Sequence, residues 1–162
     1  MQNENVAQRI ATSSGNHQQE KEETMKVAVV SDDGTTIAAH FGRAQGFVVY
    51  TIENNSVTAK DWLPNTFTAH AQGHSHGDHG EHGHGMHGHG PILMALADYD
   101  VVISGGMGRR AYDDLAQSGH RVVITGETSV ERAISLYLAG QLADQPQLHC
   151  DHHGRGESGG CR

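Results

Sequence analysis

Three short apolar runs, rich in β-branched residues, constrain the fold of this chain more than any other feature. The runs MKVAVVS, DVVIS and RVVIT cover residues 25–31, 100–104 and 121–125. Because each is apolar at successive rather than alternate positions, we expect strands that are buried on both faces. Such strands belong in the centre of a sheet that has helices packed on its two sides.

Two further runs predict a hairpin beside these strands. FVVYTI covers residues 47–52, and a second strand is predicted over 57–63. The sequence ENNS between them is typical of a tight turn, since Asn and Ser are favoured there.

Helical patterns separate the later runs. A short helix is predicted over 91–99, and a second over 109–118, with Gly119 after its end. Thr128 and Glu131 have the spacing of a capping box at the start of the last helix. The apolar face predicted for that helix comprises Val130, Ala133, Ile134, Tyr137 and Leu138.

The predicted order of elements is β-β-β-α-β-α-β-α. The first three strands form an antiparallel meander, whereas helical crossovers require the later strands to be parallel neighbours. We therefore predict an α/β fold with a mixed five-stranded sheet and helices on its faces. Within this sheet, residues 27–30, 101–103 and 122–124 should lie adjacent and parallel, with 48–52 antiparallel at their side.

Length and composition fit one domain with tails. Of the 162 residues, we assign 1–24 to a disordered polar extension, 25–143 to the folded domain with an insertion over 70–90, and 144–162 to a flexible tail. There is no basic patch for nucleic acid and no apolar run that could span a membrane. The N-terminus lacks the apolar core of a secretion signal, so we expect a cytoplasmic protein, either a monomer or a homodimer.

A tract rich in histidine and glycine, HAQGHSHGDHGEHGHGMHGHG, occupies residues 70–90. Its histidines follow no helical or strand period, so we expect residues 74–89 to lack regular structure and to contribute little to folding. Imidazole is a common metal ligand, and the tract predicts loose recruitment of ions such as Zn or Ni; an incidental loop is the alternative. The candidate ligands are His70, His74, His76, His79, His82, His84, His87 and His89.

The C-terminal tail carries a second group of metal-binding side chains. Both cysteines of the chain lie there, and a cytosolic protein would keep them reduced. Cysteines beside histidines suggest metal ligands more than a structural disulfide. The candidate ligands are His149, Cys150, His152, His153 and Cys161.

The turn after the first strand contains the sequence HFGRA, at the edge where open α/β sheets usually bind ligands. Gly42 is expected to permit a tight turn and Phe41 to anchor the loop in the core, which holds His40 at the rim. Asp32 and Asp33 are adjacent carboxylates, and we assign them to the turn itself rather than to a metal site.

The turn after the fourth strand, SGGMGRRA, is the second candidate. Its glycines let backbone amides and a helix N-terminus face an anion, and Arg109 and Arg110 add positive charge. A glycine turn required only for packing is the alternative. Together the two turns give the candidate binding residues His40, Phe41, Gly42, Arg43, Gly105, Gly106, Met107, Gly108, Arg109 and Arg110.

The same glycines permit an interpretation as an enzyme. Gly106, Gly108 and Ala111 match the pattern G-x-G-x-x-A, and Glu127 lies close to the offset expected for a ribose-binding acid. A complete dinucleotide site needs more βαβ units than remain in this chain. A small nucleotide-dependent oxidoreductase is therefore the weaker alternative.

In four segments the chain resembles the dinitrogenase iron–molybdenum cofactor-binding family, which includes NifX-type carriers, NafY-type proteins and the C-terminal domain of NifB. These segments are MKVAVVSDDG, HFGRAQGFVVY, VVISGGMGRRAYDDLAQSGHRVVITGE and VERAISLYLAGQL. The resemblance covers residues 25–142, interrupted by the histidine tract, and is that of a stand-alone member.

The resemblance implies a ribonuclease-H-like fold without nuclease activity. It also implies non-catalytic binding of an anionic iron–sulfur or iron–molybdenum type cluster, with His40 as a ligand because it occupies the histidine position of the HFG loop. The expected role is a carrier or accessory factor in dinitrogenase cofactor biosynthesis, with a cluster donor or acceptor protein as partner. The tract and tail leave open a second role, that of a histidine-rich buffer or chaperone for Zn, Ni or Co.

Overall fold

The computed structural model describes residues 23–67 and 90–148, which form a five-stranded sheet with helices on both faces. The strands are β1 Thr24–Ser31, β2 Gly46–Glu53, β3 Ser56–Pro64, β4 Val101–Ser104 and β5 Arg121–Ile124. The helices are α1 Gly90–Ala95, α2 Arg109–Gln117 and α3 Val130–Leu138, with 3₁₀ turns at Phe41–Arg43 and Pro146–Leu148. No helix within these two ranges is long and apolar enough to cross a membrane.

The sheet has the order β3-β2-β1-β4-β5. β1 is antiparallel to β2, which is antiparallel to β3, while β1, β4 and β5 are mutually parallel neighbours. The mixed five-stranded sheet predicted from the apolar runs is therefore confirmed. In the hairpin, Asn54 and Asn55 adopt φ angles of 50° and 62°, the left-handed pair that matches the twist of the flanking strands.

Both faces of the central strands are buried, as their unbroken apolar sequence predicts. On one face, side chains such as those of Ala28 and Val102 pack beneath α1 and α2. On the other face, Val29 and Ile103 pack beneath α3. Four of the five residues of the predicted apolar face of α3 belong to this second core or pack against it, and the fifth, Ala133, is also buried. The opposite sides of one sheet thus hold two separate apolar cores.

The first helix is shorter than predicted. It ends at Ala95 rather than near residue 99, because the chain turns at Leu96, whose carbonyl accepts the Tyr99 amide at 2.9 Å. The same carbonyl lies 2.9 Å from Nε2 of His120, a buried residue that the sequence did not single out. Nδ1 of His120 lies 3.1 Å from the carbonyl oxygen of Leu115. This imidazole therefore links the ends of α1 and α2.

The predicted capping box of α3 is wrong. The N-cap is Ser129, whose hydroxyl accepts the amide of Arg132 at 3.3 Å, and not Thr128. The side chain that does receive the Thr128 amide is Glu127, at 2.9 Å. The cap is shifted by one residue because Glu127 satisfies the amides just before the helix.

Candidate functional site

The long loop between β1 and β2 begins with a tight turn stabilised by Asp33. Its Oδ1 accepts the amides of Thr35 at 2.8 Å and Thr36 at 2.7 Å. Donation by the Thr36 amide and then the Thr35 amide holds the pKa of the Asp33 carboxyl well below its usual range. Gly34 has a φ of 80°, which favours glycine. The turn role predicted for Asp33 is therefore confirmed.

The middle of this loop is fixed to two other elements. The Ala38 amide donates to Val30 of β1 at 2.9 Å. The Ile37 amide donates to the carbonyl of Thr128 at 2.7 Å, next to the start of α3. At the far end, Asp32 Oδ1 accepts the Gln45 amide at 3.0 Å and closes the base of the loop. The sequence that follows Ala38 is thus held over the carboxyl end of the sheet.

His40 lies immediately before the 3₁₀ turn Phe41–Arg43. Its carbonyl accepts the amides of Arg43 and Ala44, each at 3.2 Å. Phe41 is only 2% exposed and packs edge-on against Phe47, with 6.0 Å between the ring centroids. Phe41 therefore anchors the loop, as predicted. The imidazole of His40 is half-buried and has no hydrogen-bond partner among the residues the structure describes.

The two candidate turns touch each other through their backbones. The Phe41 amide donates to the Gly106 carbonyl at 3.1 Å, and the Gly105 amide donates to the Ala38 carbonyl at 3.1 Å. A Cβ on Gly106 would lie 2.3 Å from the carbonyl oxygen of Ala39, too close for any side chain. Packing therefore accounts for these two glycines, and it places the HFG loop directly beside the turn that begins α2.

Gly42 and Gly108 have a different role from Gly105 and Gly106. Neither has a positive φ, and a Cβ on either would meet nothing within 4 Å in the described part of the chain. Gly42 does lie in a tight turn, the 3₁₀ turn Phe41–Arg43, but its φ does not require glycine. Both positions therefore leave open space beside the backbone of the two turns in the described part of the chain.

The two turns at this edge of the sheet carry three arginines. α2 begins at Arg109 after Gly108, which as N-cap offers no side-chain acceptor, and its first turn holds no acidic residue. Arg109 and Arg110 are exposed, as is Arg43 at the end of the 3₁₀ turn. The first amides of a helix lack partners inside the helix and carry its positive dipole end. This combination favours an anion.

The candidate binding residues do not all present their side chains here. Met107 is 1% exposed and belongs, with Phe41, to the core beneath α1 and α2. These two side chains pack in the core under the two turns.

Residues 23–67 and 90–148 contain no group of three His, Cys, Asp or Glu side chains that could hold a metal ion. The histidine tract and the Cys/His tail, with their predicted ligands, lie outside the described residues.

The carboxylate of Glu127, the candidate ribose-binding acid, already has partners within the protein. Its carboxylate accepts the amides of Thr128 and of Ser129, the latter at 3.1 Å, and lies 3.1 Å from Nε of Arg132. Donation by the Ser129 amide makes the largest contribution to holding the pKa of Glu127 below its usual range. Capping of α3 thus accounts for Glu127, and packing against Ala39 accounts for Gly106.

Sequence reasoning missed a buried residue that supports the site. Asn65 is 4% exposed, and its side-chain amide donates to the Ala44 carbonyl at 2.9 Å. Its backbone amide donates to the Gln45 carbonyl at 2.8 Å. Asn65 therefore fixes the far end of the HFG loop from the end of β3. Its only sequence signal is its position directly after Pro64.

The start of the predicted flexible tail is also fixed. The Gln145 amide donates to the Ile124 carbonyl at 2.6 Å, and Asp144 Oδ1 accepts the Ile124 amide at 3.0 Å. The 3₁₀ turn Pro146–Leu148 then brings the carbonyl oxygen of Leu148 to 3.7 Å from the point where a Cβ on Gly106 would lie. Residues 144–148, which follow α3, therefore run from the end of β5 to the turn at Gly106.

Comparison with known proteins identifies the family. The family model described as dinitrogenase iron-molybdenum cofactor matches residues 23–140. The chain belongs to this family. An uncharacterised protein of Methanocaldococcus jannaschii is 30% identical to it over 122 residues, which cover 75% of this chain and 92% of the relative.

Solved structures share the fold. A crystal structure of a protein from M. jannaschii assigned as a dinitrogenase has a TM-score of 0.54 and 15% identity, and covers 76% of this chain and 97% of its own. The apo form of the orange protein from Desulfovibrio gigas has a TM-score of 0.54 and 22% identity, and covers 77% of this chain and 96% of its own. At these identities the likeness shows the α/β fold and no more.

Proposed function

We propose that this protein is a non-catalytic carrier or accessory factor for an anionic cluster of the iron–sulfur or iron–molybdenum type. The observation that carries the proposal is the direct contact of the HFG loop with the Gly105–Gly106 turn. This contact joins the loop that carries His40, whose imidazole has no hydrogen-bond partner among the described residues, to the turn that begins α2, and the arginines of both turns are exposed. Membership of the cofactor family supports the same conclusion.

The described residues fit an anionic cluster better than a bare divalent ion. His40 supplies one imidazole nitrogen as a ligand, while Arg43, Arg109 and Arg110 supply cationic hydrogen-bond donors. A cation beside these arginines would be repelled, whereas an anionic cluster is attracted. The space at Gly42 and Gly108 lets the cluster approach backbone atoms.

A small number of protein ligands is also appropriate for a carrier. A cluster held by one imidazole, hydrogen bonds and charge keeps other positions exchangeable, so that a partner protein can take it over. The partner we propose is a cluster donor or acceptor protein in the cytoplasm. A role as a buffer for Zn, Ni or Co would rest on the histidine tract and the Cys/His tail, and it would give the HFG loop no function.

Anaerobic reconstitution of the metal-free protein with iron and sulfide, with and without molybdate, tests this function. We expect the protein to retain a coloured species through gel filtration, with charge-transfer absorption in the visible range. Parallel titrations with zinc or nickel and with a nicotinamide dinucleotide serve as comparisons. Retention of zinc or nickel without any retained cluster would contradict the proposal, as would binding of the dinucleotide at this site.

A further inference from the structure

We propose that Ser104, the last residue of β4, is a positioning residue that holds the two turns of the site together. Its hydroxyl fixes the carbonyl of Gly106, and this carbonyl in turn holds the loop that carries His40. The effect of Ser104 on cargo binding rests on the proposed function, whereas its effect on the loop does not. The sequence patterns of β4 and of the glycine turn gave this side chain no function of its own.

Ser104 is a fully buried hydroxyl residue in a strand whose other side chains are apolar and β-branched. Because side chains alternate along a strand, Ser104 points to the same face as Val102, which belongs to the core beneath α1 and α2. Burying a hydroxyl in an apolar core is unfavourable unless it is hydrogen-bonded. Serine at this position is therefore explained by hydrogen bonds that an apolar side chain could not make.

Both hydrogen bonds of this hydroxyl are made with Gly106. Ser104 Oγ donates to the Gly106 carbonyl at 2.8 Å and accepts the Gly106 amide at 3.3 Å. Glycine has the widest choice of backbone conformations, so these bonds restrict a carbonyl whose direction would otherwise be poorly fixed. Since the hydroxyl is buried and already bonded, Ser104 acts through Gly106 and not as a ligand.

The Gly106 carbonyl also accepts the Phe41 amide, at 3.1 Å. Phe41 follows His40 directly, so the hydrogen bonds continue from Ser104 through Gly106 to the start of the 3₁₀ turn. The other bond between the two turns reaches the loop earlier, at the Ala38 carbonyl. Ser104 therefore controls the backbone contact that lies next to His40.

Two other buried hydroxyls at this edge of the sheet do not connect the two turns. Ser31, at the end of β1, donates to the Thr36 carbonyl at 2.6 Å and accepts the Gly34 amide at 2.9 Å, both within its own loop. Thr125, directly after β5, is 3% exposed, and its Oγ1 accepts the Glu127 amide at 3.1 Å. Thr125 is therefore a matched control, a buried hydroxyl that serves a local turn elsewhere.

Amide hydrogen exchange of the metal-free, full-length protein, resolved by NMR, tests the positioning role. The variants are Ser104→Ala, Ser104→Thr, which keeps a hydroxyl, and Thr125→Val as the control. The exchange rate of the Phe41 amide is compared with the rates of amides in the central strands. A general loss of stability accelerates exchange in the strands as well, whereas a loss of positioning accelerates it at the contact between the turns.

We expect a protected Phe41 amide in the native protein, in Ser104→Thr and in Thr125→Val. In Ser104→Ala it should exchange about five- to tenfold faster relative to the strands, the effect of losing about one hydrogen bond. The proposal is overturned if the Phe41 amide is unprotected in the native protein, or if Ser104→Ala leaves its relative rate unchanged. Equal acceleration in Thr125→Val, or failure of Ser104→Thr to restore protection, would overturn it as well.

Anaerobic reconstitution with iron and sulfide extends the test to the cargo. Ser104→Ala should retain the cluster about fivefold less tightly than the native protein and Thr125→Val. Normal retention in Ser104→Ala despite faster exchange at Phe41 would overturn the role of Ser104 in binding. If the native protein retained no cluster while Ser104→Ala still accelerated exchange at Phe41, the proposed function would fail and the effect of Ser104 on the loop would stand. Unchanged exchange with normal cluster retention would remove only the role of Ser104.

Discussion

Phe41→Ala is expected to lower the free energy of unfolding of the metal-free protein by about 3–5 kcal/mol, the usual cost of truncating a fully buried phenylalanine. Phe41 is 2% exposed and packs against Phe47, so its removal leaves a cavity in the core beneath α1 and α2. Because His40 precedes Phe41, the same change should also loosen the loop that carries His40. Urea denaturation followed by circular dichroism measures the loss of stability.

Phe67→Ala is the control for this prediction. Phe67 is half-buried against the same core and lies after the end of β3. Its truncation should cost clearly less stability than that of Phe41. Equal losses for the two variants would mean that Phe41 is not the anchor of the loop.

Gly106→Ala is expected to destabilise the fold by about 1–3 kcal/mol, since an overpacked site must shift to accept the new atom. The added methyl group would lie 2.3 Å from the Ala39 carbonyl oxygen, which belongs to backbone and has little freedom to move. The contact that joins the two turns would therefore open. Thermal and urea unfolding of the metal-free protein report the effect.

Gly42→Ala is the matched control, since it introduces the same methyl group at the same site. A Cβ there meets nothing within 4 Å in the described part of the chain, so stability should change by no more than about 0.5 kcal/mol. If Gly106→Ala proved as stable as Gly42→Ala, the close contact between the turns would not exist in solution.

The sheet was predictable because its signals are local. Val27, Val102 and Val123 lie in runs whose apolar character is visible in a few residues, and helical crossovers fix the direction of the strands. The meeting of the two turns follows from the same reasoning, since β1 and β4 are neighbours and their carboxyl ends share one edge.

The residues that hold the loops of the site in place were not predictable, because their hydrogen-bond partners are distant in sequence. Asn65 is hydrogen-bonded to Ala44, and Gln145 to Ile124. No local sequence pattern indicates these contacts. The cap at Ser129 was misplaced because Glu127 competes for the neighbouring amides. Gly42 lies in a tight turn as predicted, but only the structure shows that its backbone does not require glycine.

The most direct test of the account compares cluster retention in two variants, His40→Ala and a deletion of residues 70–89. Both are reconstituted anaerobically with iron and sulfide, and the bound cluster is followed by its visible absorption during dialysis. We predict that His40→Ala weakens retention at least about tenfold, equivalent to about 1.4 kcal/mol, while the deletion variant retains the cluster nearly as the native protein does. Unchanged retention in His40→Ala together with complete loss in the deletion variant would contradict the account and show that the histidine tract holds the metal.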